Sequence, residues 1–425
     1  MSHFHCMTKT QPSQVTDLNL PPNTSCVLLK KRTVSVRDEP LPILQPDGVL
    51  VRTIATGICG SDMHAYLAGG VGGRPITEPT VMGHESAGEV IAVGDLVTTH
   101  KVGDRVAVEP GLPCRRCENC KGGRSNICLD MKYCGAPGCV GSLAKFSALP
   151  ADMAPHIPDG VSWEEAGCIQ PLAIGVQIGK RVDLRAHQTV AIFGCGPIGL
   201  ITAAVAHAYS ARKIIAFDIN PSRVEFARKY ISPLTGKPII DHVFHIADLP
   251  KARQHGHGAA NGHGNAANAA DTAEISVPHG DHAEQKTPGD IKWTAAQERM
   301  REIISQVGLD REGGVDRVVE ASGAEDGMLH GVAIAKQGAI YLQVGLGHIE
   351  THHFPLVAVT NKELDIRGIT RYTASCFPSA IDLLSRGVVD LKPLITITFP
   401  LSKSADALEA VASGKQIKVI IKNQE

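Results

Sequence analysis

Short apolar runs broken by Gly, Pro and Asp fill the chain from Ser25 to Val108. CVLLK at 26–30, GVLVRTIATGIC at 48–59 and VGDRVAVEP at 102–110 are rich in β-branched residues, a rhythm that predicts a small all-β barrel. Near residue 189 the rhythm changes. TVAIF at 189–193 reads as a buried strand, LITAAVAHAYSA at 200–211 as a helix, and KIIAFDI, ending at Asp218, as a second strand. Asn220 and Pro221 start the next helix, with Asn as N-cap and Pro in the first turn. HVFHI at 242–246, VDRVVEAS at 315–322 and AIYLQVG at 339–345 continue the alternation, which predicts a doubly wound parallel sheet. A helical pattern resumes at Ile291 and runs to about Val307. After Gly347 the chain reads as a return to the first domain, with ELDIRGITRYTA strand-like, SAIDLLSRGVV and SADALEAVASG helical, and QIKVIIKN a final strand.

Two stretches lack any period. Residues 1–22 read as a polar, loosely ordered arm. Residues 247–290, including QHGHGAANGHGNAANAAD, offer few groups to bury and are expected to form a disordered insertion with solvated histidines. A length of 425 residues suggests two or three domains. The formal net charge of −1 gives no electrostatic case for nucleic acid or an acidic membrane. The N-terminus has no apolar core of signal-peptide length. The most apolar region, 189–206, carries Gly194, Gly196, Pro197 and Gly199, so it reads as strand, turn and helix, with no membrane span.

Those glycines carry chemistry. Gly194-Cys195-Gly196-Pro197-Ile198-Gly199 sits between strand and helix, and Asp218 follows 19 residues past Gly199. Strand, glycine turn, helix, strand and acid form the dinucleotide fingerprint in its expected context. The first glycine makes the tight turn, and the second lets the backbone approach the pyrophosphate at the helix N-terminus. Asp218 would grip the ribose hydroxyls and repel a 2′-phosphate, which favours NAD over NADP. Arg223 either flanks the adenine or softens that preference.

The twelve cysteines cluster in a way that argues for metal over disulfides, and for a reducing compartment, the cytoplasm. Cys114, Cys117, Cys120 and Cys128, spaced C-x2-C-x2-C-x7-C, make a closed tetrahedral thiolate site. Zinc suits it better than the competing iron–sulfur cluster. The glycine- and proline-rich lobe around it has little core, so the metal would stabilise it directly. Cys59, His84 and Glu85 supply the three ligands of a catalytic zinc with one open position. Gly83 and Gly88 are expected to let the backbone turn around those ligands. The cysteines at 6, 26, 134, 139, 168, 195 and 376 are expected mostly as ordinary core residues.

Together these segments resemble the zinc-containing medium-chain dehydrogenases over nearly the whole chain from about residue 25, apart from the insertion. The family signature G-H-E-x2-G-x5-G-x2-V is matched by Gly83, His84, Glu85, Gly88, Gly94 and Val97. The resemblance implies α/β plus β architecture: a GroES-like β-barrel catalytic domain split by a Rossmann domain. The expected boundaries are an arm at 1–22, a catalytic domain at 23–172 with a structural-zinc lobe at 111–130, a Rossmann domain at 173–347 and a return at 348–425. The sorbitol, xylitol and L-arabinitol branch looks closest. It implies zinc on Cys59, His84 and Glu85, and cofactor contacts from Ile198, Asp218, Arg223, Val344, Gly345, Leu346, Thr370, Arg371 and Tyr372. It also implies a homo-oligomer, tetramer or dimer. Two departures stand out. Gln170 occupies the position of the branch's Glu, near the zinc and a doubtful ligand, with Cys168 a less favoured competitor. The branch's aromatic residue after the Cys59 loop is replaced by Ala65, with Tyr66 next.

The implied reaction is reversible oxidation of a secondary alcohol in a polyol, with zinc as Lewis acid and NAD as hydride acceptor. Ser61 and His64 have the spacing of the family's proton relay, and Asp62 is positioned to accept the His84 ring N–H. Ser61, Gln170, Arg371 and Tyr372 are the candidate substrate contacts. The rivals are a dehydrogenase of a butanediol or threonine type and a non-enzymatic NAD- and zinc-binding protein.

Overall fold

The computed structural model describes residues 19–71, 74–249, 287–347 and 353–425. The arm at 1–18, and 250–286 of the expected insertion, lie outside the described residues. Among the described residues no helix is long and apolar enough to cross a membrane.

The interrupted apolar runs of the first part form a barrel-like sheet. Its strands lie in the order Ile395–Pro400, Lys418–Lys422, Gly48–Gly57, Glu85–Val93 and Arg105–Ala107, and Phe146–Pro150 also pairs with Gly48–Gly57. Thr33–Glu39, Asn23–Lys30 and Thr80–Val81 make a smaller sheet beside it. Val49, Val51, Val90 and Val106 are wholly buried, as β-branched residues on a packed strand face should be.

The second sheet is parallel throughout, in the order His242–His245, Lys213–Asp218, Thr189–Phe193, Val315–Glu320, Ala335–Gln343 and Asp365–Gly368. Numbered along the chain this order is 3-2-1-4-5-6, the doubly wound arrangement. The strand order reverses between Thr189–Phe193 and Val315–Glu320, the place where folds of this kind take ligands at the carboxyl ends of their strands. Helix Ile169–Arg181 joins the two sheets. Its Leu172, Ala173 and Val176 share one buried cluster with Ala55 and Ala87 of the barrel and Val190 and Ile192 of the parallel sheet. The two sheets are thus fixed to one another by a common core.

Three expectations change. Asp365–Gly368 does not rejoin the first domain: it pairs in parallel with Ala335–Gln343 as the edge of the nucleotide-type sheet. Helix Cys376–Ser385 then packs on Ile169–Arg181, and the barrel is regained only at Ile395–Pro400. An edge strand of a parallel sheet is covered incompletely, so its polarity alternates as a barrel strand's does and periodicity cannot assign it. The helix expected from Ile291 begins at Pro288, and 287–290 are ordered as its start. Thr287 accepts from the Asp290 amide while the Asp290 carboxylate accepts from the Thr287 amide, a capping box in a stretch whose composition alone reads as disorder. Residues 247–249 likewise continue a short 3-10 turn, Ile246–Asp248.

Lys362 closes the end of helix Glu325–Ile334. Its ammonium donates to the carbonyls of Val332, Ala333 and Ala335 at 3.0, 2.9 and 2.7 Å. Lys362→Met leaves these acceptors unpaired and is expected to lower stability by about 1–3 kcal/mol. Denaturant titration checks it; an unchanged midpoint would mean that water already serves those carbonyls.

Candidate metal centre and cofactor cleft

Two groups of donor atoms are brought together among the described residues. One is Cys59, His84 and Glu85, whose ligand atoms all lie within 4.8 Å of one another. Cys59 is the N-cap of helix Gly60–Ala68, and His84 and Glu85 stand where the chain enters strand Glu85–Val93. The centre therefore sits on a helix start and a strand start, where the sequence had suggested loops. Gly83 has φ +89°, and a Cβ there would stand 2.7 Å from that of Leu143, so the approach to His84 requires glycine. Gly88 makes no turn: it lies within the strand, where a Cβ would strike the Arg52 carbonyl at 2.2 Å.

Asp62 organises the donors. Its Oδ2 accepts from the Cys59 amide at 3.0 Å, its Oδ1 accepts from the Gly83 amide at 3.4 Å, and Oδ1 lies 3.6 Å from His84 Nδ1. That leaves His84 Nε2, 3.2 Å from Ser61 Oγ, as the atom for a metal. Burial alone would lower the His84 pKa. Asp62, then Cys59 and Glu85, overcome it and raise the pKa to about 10. The Asp62, Cys59 and Glu85 groups around His84 favour positive charge, and a divalent ion fits these soft and hard donors.

Lys418, which sequence reasoning missed, lies beneath this centre. It is 4% exposed, donates to the Ile58 carbonyl at 2.9 Å and pairs with the Glu85 carboxylate. A lone Lys in an alternating terminal strand carries no signal of such a role. Cys168 is buried, and burial pushes its thiol up to about 12; it is not among the three clustered donors.

The second donor group is Cys114, Cys117, Cys120 and Cys128. Sulfur separations of 4.0, 3.5 and 3.9 Å bracket the edge of about 3.8 Å that Zn–S bonds of about 2.3 Å give in a tetrahedron. The amides of Cys114, Cys117 and Asp130 donate to these sulfurs. Amide bonds from Leu129 and Cys120 lower the Cys117 pKa, whereas burial raises that of Cys120. Cys26, Cys134, Cys168, Cys195 and Cys376 are buried free thiols. Cys139 departs from the expectation, being disulfide-bonded.

The glycine turn has the form of a phosphate cradle. Gly194 has φ +103°, and a Cβ on Gly199 would stand 1.8 Å from the Gly194 carbonyl oxygen. Gly196 caps helix Pro197–Ala208, whose Ile198 is partly buried. Asp218 Oδ2 accepts from the Cys195 amide at 2.6 Å and Oδ1 from the Asn220 amide at 2.7 Å. A carboxylate has about four lone-pair sites, so two remain for a ribose. Arg223 lies beside Gly196, and its buried Nε has no partner. An orphaned donor at a glycine turn fits an anionic nucleotide. The amides of Val344 and Gly345 both donate to the Glu320 carbonyl, and Leu346 stands 65% exposed at the same strand ends.

Other candidates are placed elsewhere. The Thr370 carbonyl accepts from Asn126, and Arg371 donates to the Asn126 carbonyl at 3.1 Å. Among the described residues no hydrogen bond ties 370–372 to the glycine turn. The chain leaves the sheet edge at Gly368 and crosses to the four-cysteine lobe, with Arg371 at φ +53°. Arg371 and Tyr372 line a cavity of about 410 Å³ with Glu109 and Tyr133. Tyr133 borders both this cavity and the metal centre, its ring 5.6 Å from that of His84. Gln170 donates to Tyr133 Oη at 3.0 Å, and Tyr133 was not anticipated from sequence. His64 is exposed on its helix, and among the described residues no hydrogen bond joins it to Ser61.

The chain is similar to known proteins. Residues 45–159 match the alcohol dehydrogenase GroES-like domain. D-xylulose reductase A of Aspergillus niger is 36% identical over 400 residues, covering 94% of this chain and 96% of that protein. D-xylulose reductase A of Aspergillus oryzae is 35% identical over 400 residues, with coverages of 94% and 96%. The solved structure of L-idonate 5-dehydrogenase from Escherichia coli matches with TM-score 0.73 and 24% identity, over 95% of this chain and 98% of that one, which shows a shared fold.

Proposed function

The chain belongs to the zinc-containing medium-chain dehydrogenases, in their polyol dehydrogenase branch, and from that premise we propose that it oxidises a secondary hydroxyl of a sugar alcohol, of the xylitol, sorbitol or L-arabinitol class, reversibly to the ketose. The observation that carries the reading is the Cys59, His84 and Glu85 donor set within 4.8 Å, on a frame joined by one core to a dinucleotide-type glycine turn. Zinc held by these three residues would act as a Lewis acid on the alcohol oxygen, and NAD at the glycine turn would accept the hydride.

The protein's own groups do the rest. Asp62 accepts from the Cys59 amide and stands 3.6 Å from His84 Nδ1, which favours the tautomer with that nitrogen protonated. Ser61 Oγ, 3.2 Å from His84 Nε2, stands where it can take the alcohol proton. His64 is the exposed end of that proposed relay, reached through solvent. Asp218 supports NAD by offering its free lone pairs to ribose hydroxyls and its charge against a 2′-phosphate. Cys114, Cys117, Cys120 and Cys128 would hold a structural zinc.

A homo-oligomer, tetramer or dimer, is the proposed assembly. Exposed Leu356 and Val357, shortly before the edge strand Asp365–Gly368, support it. The cytoplasm is the proposed compartment, supported by the thiolate lobe, which needs reduced sulfur, with the Cys139 disulfide the feature that opposes it.

The test is initial rates with xylitol, sorbitol, L-arabinitol, 2,3-butanediol and threonine, each with NAD and with NADP. A polyol with NAD should be the best pair. Turnover of only butanediol or threonine would move the chain out of the polyol class.

A further inference from the structure

We propose that Tyr133 reads the substrate: its phenol hydroxyl, oriented by the Gln170 carboxamide, donates a hydrogen bond to a polyol hydroxyl next to the one being oxidised. The inference rests on the polyol dehydrogenase reading above and adds the group that separates a polyol from a simple alcohol.

Tyr133 is firmly held. It lies on the two-residue strand Lys132–Tyr133, paired antiparallel with Gly111–Leu112, so the four-cysteine lobe is its scaffold. Its ring meets the His84 ring edge-on, at 5.6 Å and 60°, and the Arg371 guanidinium carbon stands 5.2 Å from its centroid. Gln170, 6% exposed in the first turn of helix Ile169–Arg181, donates through Nε2 to Tyr133 Oη at 3.0 Å. That bond uses the phenol oxygen as an acceptor. Among the described residues no acceptor takes the phenol hydrogen. A half-buried hydroxyl with an unspent donor, next to the His84 imidazole, is free to bond a ligand oxygen in the cleft.

The geometry limits what that partner is. Tyr133 stands beside His84, 5.6 Å ring to ring, and is not one of the three clustered donors, so its phenol is placed for an oxygen next to the one on the metal. A polyol has such an oxygen on the adjacent carbon, and a monohydric alcohol does not. A site built to bond a substrate hydroxyl rejects the analogue lacking it, because its own polar group is left unpaired. Gln170 is a positioning residue here: it acts through Tyr133 by occupying the phenol oxygen and turning the hydrogen outward.

Two variants test this, Tyr133→Phe and Gln170→Leu. The readouts are kcat/KM for xylitol and for 2-butanol, and calorimetric binding of xylitol to the enzyme–NADH complex. Tyr133→Phe should lower xylitol kcat/KM by about 10- to 100-fold and weaken xylitol binding by a similar factor. Its 2-butanol kcat/KM should fall no more than about 3-fold. Gln170→Leu should act in the same direction, more weakly, and mainly on KM for xylitol. An equal fall for both alcohols, or loss of zinc from either variant, would show a structural role and overturn the proposal. So would unchanged xylitol binding in Tyr133→Phe. If the wild-type protein turns over no polyol, the functional reading falls and the proposal with it; if it does and Tyr133→Phe leaves the xylitol-to-2-butanol ratio unchanged, only the proposal falls.

Discussion

Cys59→Ser is expected to lower kcat/KM for the best polyol by at least about 10³-fold, the loss that goes with several kcal/mol of Lewis-acid stabilisation. Metal content should fall from two zincs per chain to one. Cys59 contributes both a ligand sulfur and the N-cap of helix Gly60–Ala68. Serine keeps the capping geometry, its amide still donating to Asp62, and replaces the soft sulfur by a hydroxyl that binds zinc poorly. The fold should therefore survive while the centre is lost. The zinc that remains should belong to Cys114, Cys117, Cys120 and Cys128, which share no donor with the first group. Elemental analysis together with steady-state rates decides the matter. Two zincs with undiminished activity would remove Cys59 from the chemistry.

Lys418→Met has the largest expected effect on stability. Lys418 and Glu85 are 4% and 2% exposed, and they form a buried ion pair. Removing one partner leaves the other charge buried and unpaired, at a cost of about 3–5 kcal/mol. The crowding around Gly57 shows how little room there is to adapt: a Cβ there would stand 2.5 Å from the Glu85 carboxylate and 2.8 Å from the Lys418 chain. Burial alone would lower the Lys418 pKa, but Glu85, then Cys168 and Cys59, raise it above its ordinary value. A folded-state pKa above the unfolded one adds stability that is complete below the unfolded value of about 10.4 and is lost as pH climbs through the folded value. The contribution of the Lys418 charge to stability should thus be complete up to about pH 9 and fall only above about 10.4. Calorimetric unfolding of the metal-free proteins across that range measures it. A contribution lost near neutral pH would mean that the lysine is not charged in the fold.

Much of the site was legible because its parts are local in the chain. Cys114, Cys117, Cys120 and Cys128 fall within one short lobe, and their spacing alone closes a thiolate tetrahedron. The glycine turn reads as a cradle because Gly194 and Gly199 are forced by a left-handed φ and a carbonyl 1.8 Å away. His84 and Glu85 are adjacent, so one short motif exposes both. Tyr133 and Lys418 were not legible. Tyr133 acquires meaning only through Gln170, 37 positions away, and Lys418 only through Glu85, 333 away. Neither pairing leaves a local pattern. Arg371 and Tyr372, which the resemblance implies as cofactor and substrate contacts, are carried by the chain after Gly368 to a cavity beside the four-cysteine lobe.

By itself, then, the sequence determined the two classes of sheet, the two clusters of donor residues and the glycine turn, since each follows from periodicity or spacing within a few tens of residues. The three-dimensional fold alone decided that Asp365–Gly368 extends the parallel sheet, that Asp62 ties Cys59 to His84, and that Lys418 and Tyr133 flank the metal centre. Those outcomes depend on which distant surfaces bury one another, a competition of packing and desolvation over the whole chain that no local pattern records.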